Sequence, residues 1–154
     1  MKKAIFPGSF DPFTIGHESV VRRALPLFDK IVIAVGFNTN KMGYFPLDQR
    51  VQWIKDVFEN EPKVEVDQYE GLTVNYCVSI KAGYILRGLR TSADFEYERA
   101  IGQMNRSMHP DIETVFLLTL PEHAHVASTI VRDIIMYGGD AKIFLPDKIK
   151  ITKK

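Results

Sequence analysis

Residues 4–17 read AIFPGSFDPFTIGH. The apolar start predicts a short strand, which Pro7-Gly8 turns into a loop before a helix begins. The loop carries the hydroxyl of Ser9, and His17 falls at the start of the helix. Unpaired backbone N–H groups and the helix dipole favour an anion at such a position. We therefore expect a phosphate-binding turn at one edge of a sheet.

The rest of the chain alternates between strand and helix patterns, without linkers, repeats or low-complexity segments. Residues 31–35 are continuously apolar and mostly β-branched, which is typical of a parallel strand covered on both faces. The predicted strands are 3–6, 30–36, 63–68, 84–86 and 114–118. The predicted helices are 15–28, 47–59, 73–81, 93–108 and 127–137. Repeated β-α units indicate an α/β fold, with residues 1–154 forming a single domain: a Rossmann-like, doubly wound sheet of five parallel strands with helices on both faces.

A few residues predict where the helices begin and end. Pro26 is expected to kink or end the first helix early. Thr73 is interpreted as the N-cap of the third helix, and Ser92 as the capped start of the fourth. Residues 147–154 are interpreted as a candidate for a short last helix.

Composition limits the possible partners. The chain has 154 residues, 45% hydrophobic and 25% charged, and its net charge of +1 predicts no general attraction to nucleic acid or membranes. No run approaches the ~18 apolar residues of a membrane helix. The apolar stretch after Lys2-Lys3 ends at Pro7-Gly8, too early for a signal peptide. The single cysteine, Cys77, lies in an apolar run and predicts an inert buried thiol, which fits a cytoplasmic protein.

Unusual polar residues follow four of the five predicted strands. In an open parallel sheet the carboxyl ends of the strands meet at one edge, where ligands bind. Guanidinium forks, an ammonium group and helix N-terminal amides together suit a polyphosphate. The residues are Ser9, Thr14 and His17 after the first strand, Lys41 after the second, Arg87 and Arg90 after the fourth, and Ser128 and Thr129 after the fifth.

Each residue also has a structural interpretation. Lys41 alone is compatible with a solvated loop lysine, Ser128 and Thr129 with helix caps, and His123 with an exposed loop histidine. Arginines on either side of a glycine directly after a strand have no structural necessity, so we favour a functional role for the pair at positions 87 and 90.

Several common motifs are absent. The sequence has no GxxxxGK[ST] phosphate loop, no GxGxxG dinucleotide motif, no HExxH or Cys/His metal spacing and no GxSxG nucleophile elbow. These absences argue against P-loop phosphoryl transfer, nicotinamide redox chemistry, a tight metal site and a serine hydrolase. We expect no metal ligands among the protein side chains.

Two motifs together indicate a family. Thr14-Ile15-Gly16-His17 resembles the TxGH signature of a nucleotidyltransferase superfamily. Arg87-Gly88-Leu89-Arg90, followed by Asp94-Phe95-Glu96-Tyr97-Glu98, is similar to a combination found in the bacterial phosphopantetheine adenylyltransferases. The resemblance extends over nearly the whole chain.

The resemblance implies transfer of the adenylyl group of ATP to 4′-phosphopantetheine, which yields dephospho-coenzyme A and pyrophosphate. It also implies Mg²⁺ delivered with ATP, and a homohexamer. The acceptor is a phosphate monoester, already an anion near neutral pH, so no general base is required. Catalysis then rests on positioning and on stabilising charge at the α-phosphorus.

The resemblance also implies site residues. The catalytic group is His17, Lys41 and Arg90. The phosphopantetheine-binding group is Ser9, Lys41, Leu72, Thr73 and Arg87. The ATP-binding group is Ser9, Phe10, His17, Gly88, Leu89, Arg90, Glu98, His123, Ser128 and Thr129.

The chain departs from the family pattern at four positions. Ala127 replaces a serine, His123 stands where an aromatic residue is common, Ala100 replaces a glutamine, and Pro46 replaces a helix-capping residue. Two rival functions remain open. One is nucleotidyl transfer to nicotinamide mononucleotide or a glycerol phosphate, and the other is a non-catalytic nucleotide-binding protein.

Overall fold

A computed structural model of the protein describes residues 1–151 and contains a sheet of five parallel strands. The strand order is β3-β2-β1-β4-β5. The chain therefore builds outward from β1 in one direction and then in the other. The predicted fold class is confirmed. The strands are β1 (Lys3–Gly8), β2 (Lys30–Gly36), β3 (Val64–Tyr69), β4 (Tyr84–Leu89) and β5 (Glu113–Leu118).

Within residues 1–151 five α-helices flank this sheet, and alternate residues of β1 show why both of its faces are covered. Ala4 and Phe6 belong to the larger apolar cluster, together with residues of three helices, whereas Ile5 packs with Val74 and Cys77 of a fourth helix. The helices are α1 (Ile15–Ala24), α2 (Leu47–Val57), α3 (Thr73–Ser79), α4 (Ser92–Met108) and α5 (Ser128–Met136). None of the described helices is long and apolar enough to span a membrane.

Several helix ends differ from the sequence prediction. Pro26 ends α1 early, as predicted: the helix stops at Ala24 and a 3₁₀ turn follows over Leu25–Leu27. The predicted N-cap at Thr73 is wrong, because Leu72 is the cap residue, and α4 is capped by Thr91 rather than Ser92. Residues 147–151 form no helix, and the remainder of the candidate last helix lies outside the described residues.

The largest correction concerns β4. Residues 87–89 continue this strand to Leu89, whereas the prediction ended it at residue 86. Arg87 therefore projects from a strand that pairs with β5, where Phe116 is its register partner. The backbone that carries the Arg87 side chain is therefore fixed by strand pairing and does not belong to a loop. The reversal of strand order between β1 and β4 is also where open α/β sheets bind their ligands.

Candidate active site

A cleft of about 340 Å³ opens at the carboxyl ends of β1 and β4. Its walls come from the loop after β1, the start of α1, the end of β4, the face of α4 and the start of α5. Most of the site residues expected from sequence meet here. They are Ser9, Phe10, His17, Arg87, Gly88, Arg90, Glu98, His123, Ser128 and Thr129.

Four expected residues do not line this cleft. Leu89 is buried in β4, and Lys41 is an exposed loop residue in an isolated bridge with Asn38. Leu72 is 57% exposed, and the Thr73 hydroxyl shares a 2.8 Å hydrogen bond with the hydroxyl of Tyr69. The expectation that all four loops meet at one rim therefore fails for Lys41. Its loop is tied to Glu70, which accepts from the backbone N–H and the hydroxyl of Thr39.

His17 is fixed by the first turn of its own helix. Thr14 is the N-cap of α1, and its hydroxyl accepts from the His17 backbone N–H. In return, the Thr14 backbone N–H donates to Nδ1 of the imidazole at 3.0 Å, so the histidine takes the place that a glutamate usually has in a capping box. Because Nδ1 accepts this bond, the proton of the neutral ring lies on Nε2. The capping box thus selects one tautomer.

The surroundings of His17 keep it neutral. Burial disfavours the charged ring, and Arg87 and then Arg90 repel it further, so that the pKa falls from 6.5 to about 3. The rings of Phe10 and Phe13 pack against the imidazole with centroids 5.0 and 5.3 Å away. At neutral pH the His17 side chain is therefore uncharged, and its Nε2–H is a hydrogen-bond donor.

Arg87 is held in place by Glu98 of α4. Its Nε and Nη2 donate to the two carboxylate oxygens at 2.9 and 2.6 Å, and its Nη1 donates to the Pro7 carbonyl at 2.5 Å. The fork is bidentate and Glu98 is 12% exposed, which makes this the strongest type of ion pair in proteins. Glu98, predicted from sequence to lie on the nucleotide side, lines the cleft and also positions Arg87.

Arg90 has a looser arrangement. Its Nε lies 3.5 Å from a carboxylate oxygen of Asp94, one helical turn later, and its backbone N–H donates to the same oxygen at 3.1 Å. The side chain is 37% exposed. Arg90 therefore lines the cleft with fewer side-chain contacts than Arg87.

The turn after β1 brings backbone close to the cleft. A Cβ at Gly8 would lie 2.8 Å from the Phe10 ring, so a side chain here would force that buried ring to move. Phe10 has a φ of +48°, in the left-handed region that non-glycine residues rarely adopt. Such strain persists only where the surrounding structure enforces it, and it concentrates at functional sites.

The start of α5 contributes hydroxyl groups and one histidine. Ala127 is the N-cap and makes no side-chain capping bond, so the structural interpretation of Ser128 and Thr129 as caps is wrong. The Ser128 hydroxyl donates to the Pro12 carbonyl at 2.9 Å. His123 is half-buried, so its structural interpretation as an exposed loop histidine is wrong. Its Nδ1 is buried without a hydrogen-bond partner among the described residues.

The described residues contain no group of three or more His, Cys, Asp or Glu side chains placed to hold a metal ion. The two carboxylates that line the cleft are those of Asp94 and Glu98, and each already pairs with an arginine.

Sequence reasoning missed two features of the cleft. Asp94 was given no role beyond a motif, although its position four residues after Arg90 was a usable signal. Thr14 was expected at the site as a polar residue, but not as the group that determines which nitrogen of His17 carries the proton. No sequence pattern predicts a histidine in the third position of a capping box.

The comparisons with known proteins agree with one another. A family model described as cytidylyltransferase-like matches residues 5–134. The phosphopantetheine adenylyltransferase of Flavobacterium johnsoniae is 50% identical over 153 residues, which cover 99% of this chain and 100% of the relative. The enzyme of the same name from Christiangramia forsetii is 49% identical over 150 residues, covering 97% and 99%.

Among solved structures, a bifunctional NMN adenylyltransferase/ADP ribose pyrophosphatase from Francisella tularensis superposes with a TM-score of 0.72. The match has 17% identity and covers 96% of this chain but 46% of that one. At this identity the likeness supports the fold alone.

Proposed function

Because this chain belongs to the cytidylyltransferase-like family, and within it to the phosphopantetheine adenylyltransferases, we propose that it adenylylates 4′-phosphopantetheine. A phosphate oxygen of the acceptor attacks the α-phosphorus of ATP. The bond between that phosphorus and the oxygen that bridges it to the β-phosphate then breaks. The products are dephospho-coenzyme A and pyrophosphate. We propose residues 1–154 as a single nucleotidyltransferase domain acting in the cytoplasm.

One observation carries this proposal: a neutral imidazole with a fixed tautomer lies in a cleft with two arginines. The Nε2–H of His17 donates to a non-bridging oxygen of the α-phosphate, on which charge grows as the reaction proceeds. A donor fixed before the reaction needs no reorganisation during it. A side chain with a pKa of about 3 would be a poor base at neutral pH, and this reaction needs none.

The remaining residues bind the two anionic substrates. Arg87, with Ser9 and the backbone of Phe10, holds the phosphates near the reacting atom. Arg90, Ser128 and Thr129 hold the β- and γ-phosphates that leave as pyrophosphate. The nucleotide enters as its Mg²⁺ complex. Gly88 and His123 border the nucleotide, and in our proposal Leu89 acts only as packing beneath it.

The acceptor side extends beyond the cleft. Leu72 and Thr73, at the start of α3, contact the pantetheine arm in this proposal. Lys41 is exposed and outside the cleft, so its loop has to approach when the acceptor phosphate binds.

The direct test mixes the protein with ATP, Mg²⁺ and 4′-phosphopantetheine and detects dephospho-coenzyme A by mass spectrometry. Parallel reactions with nicotinamide mononucleotide and with a glycerol phosphate test the rival acceptors through pyrophosphate release. Binding of ATP without turnover of any acceptor would support the non-catalytic alternative and refute the proposal.

His17→Ala tests the mechanism. We expect kcat to fall about 10²-fold or more, the scale for loss of one transition-state donor. The circular dichroism spectrum should be unchanged. Near-parental turnover would remove His17 from catalysis while leaving the substrate assignment intact.

We also propose that the chain forms a homo-oligomer, a hexamer by family resemblance. No residue of helix α4 is fully buried within the described chain. It exposes an apolar stripe at helical spacing, with Tyr97, Ile101, Met104 and Met108 between 38 and 69% exposed. Light scattering after size exclusion tests this, with Met104→Glu expected to shift the mass toward the monomer. A monomeric parent protein would refute the proposal.

A further inference from the structure

Arg50 is a buried cation to which the proposed reaction assigns no role. It lies on α2, is 5% exposed and does not line the cleft. No carboxylate of the described residues lies within ion-pairing distance. Burying an unpaired guanidinium is costly, so its hydrogen bonds have to matter.

Two backbone carbonyls accept these hydrogen bonds. Nη1 donates to the Ser9 carbonyl at 2.6 Å, and Nε donates to the Phe45 carbonyl at 3.0 Å. The second anchor is itself fixed, because the buried Asp11 carboxylate accepts from the backbone N–H groups of Tyr44 and Phe45 at 2.7 and 2.9 Å. Arg50 is thus a rigid bridge to the turn after β1.

Peptide geometry links Arg50 to the cleft. The Ser9–Phe10 peptide bond is not among the cis bonds, and in a trans peptide the C=O and the following N–H point in opposite directions. When Arg50 draws the Ser9 carbonyl to its own side, the Phe10 N–H points to the other side. Ser9 and Phe10 line the cleft and Arg50 does not, so that other side is the cleft.

The Phe10 N–H is available there. It donates to no acceptor among the residues that the structure describes. The left-handed φ of +48° at Phe10 is an unfavourable conformation, and a non-glycine residue needs external support to keep it. The Arg50 bond to the preceding carbonyl supplies such support.

We propose that Arg50 is a positioning residue: it orients the Ser9–Phe10 peptide so that the Phe10 N–H binds a substrate phosphate. This inference rests on the proposed adenylyl transfer. It differs from a purely structural role, because it requires that loss of Arg50 lowers turnover even in a fully folded protein.

Arg132 provides a matched control in the same turn. Its Nη1 donates to the Asp11 carbonyl at 2.7 Å, a bond of the same type. The residue that follows is Pro12, which has no backbone N–H. Losing this bond therefore releases no amide that faces the cleft.

The experiment compares Arg50→Met, Arg50→Lys and Arg132→Met with the parent, well below the melting temperature of each. Methionine preserves bulk and removes every donor, whereas lysine can still reach one carbonyl. We expect kcat to fall at least about tenfold in Arg50→Met, with partial rescue in Arg50→Lys, as for loss of a transition-state donor. Arg132→Met should keep kcat within about threefold of the parent at saturating ATP, since it frees no amide toward the cleft. Its other contact, from Nη2 to the Thr129 hydroxyl at 3.5 Å, bears on phosphate binding, so its loss would appear in the KM for ATP.

A second measurement observes the amide directly. In ¹⁵N-labelled parent protein, the Phe10 amide proton should move downfield when α,β-methylene-ATP and Mg²⁺ are added, and this shift should be smaller in Arg50→Lys. It needs no turnover, so it tests the inference even if the acceptor has been assigned wrongly.

Three results would overturn the inference. They are an unperturbed Phe10 amide in the parent, a folded Arg50→Met protein with parental kcat, or equal losses in the Arg50 and Arg132 variants. If Arg50→Met does not fold, the parent amide shift and Arg50→Lys decide. Formation of dephospho-coenzyme A by the parent separates failure of this inference from failure of the proposed function.

Discussion

Lowering the pH should destabilise this protein through His17, by an amount that its pKa sets. The pKa is about 3 in the folded chain and 6.5 in the unfolded chain. Between these values the unfolded state binds more protons, so the free energy of unfolding falls as the pH drops below 6.5 and levels off below 3. Each pH unit in this window is worth about 1.4 kcal/mol.

From pH 7 to pH 5 the expected loss is up to about 2 kcal/mol, because 1.5 units of this range lie below the unfolded pKa of 6.5. Other groups titrate as well, so the parent has to be compared with His17→Asn. Asparagine does not titrate and can still accept from the Thr14 N–H. Urea unfolding of both proteins at pH 7 and pH 5 should show the stability of the parent falling by that amount more than that of the variant.

Ring ¹⁵N shifts provide an independent check. The His17 signals should keep the pattern of a neutral ring, with the proton on Nε2, from pH 8 down to pH 5. A His17 titration midpoint near 6.5, or a stability difference that does not change with pH, would refute the reasoning. Either result would mean that burial and the two arginines do not act on the imidazole as the structure indicates.

Three further predictions concern residues in and around the cleft. Arg87→Ala should raise KM for 4′-phosphopantetheine by about tenfold or more, as expected for loss of a charged hydrogen bond; an unchanged KM in steady-state assays would remove Arg87 from the acceptor site. Glu98→Gln should raise the same KM by a smaller factor because it loosens Arg87, and a lower KM would mean that Glu98 competes with the phosphate. Burial raises the pKa of Cys77 to about 12, so iodoacetamide at pH 8 should leave the native thiol unmodified, and stoichiometric alkylation would contradict this.

Sequence periodicity predicted the sheet well because strands buried on both faces have few alternatives. Residues 30–36 match β2 at both ends. The predicted end of β4 was wrong, because Arg87 and Gly88 are residues that normally indicate a loop. The arginine is tolerated in the strand since Glu98 and the Pro7 carbonyl accept three of its five N–H groups, and these partners lie 11 and 80 residues away. Such compensation cannot be inferred from a local pattern.

The same limit applies to Arg50. On α2 it lies four residues before Ile54 and seven before Val57, on the buried face. From the sequence Arg50 has no assigned role, because a charged side chain normally faces solvent. The spacing of Arg50 from Ile54 and Val57 was the available signal. Its carbonyl acceptors can be identified only once the turn after β1 is in place.

The charges of the cleft explain how a chain with almost no net charge can bind two polyanions. Arg87 and Arg90 are balanced by Glu98 and Asp94, and His17 is neutral, so these side chains sum to zero. Binding therefore depends on directed donors. Arg87 uses three of its five N–H groups on Glu98 and Pro7, which leaves one on each Nη for a phosphate. The ion pair does not have to break when substrate arrives, and the carboxylate keeps the guanidinium oriented before charge develops at the transition state.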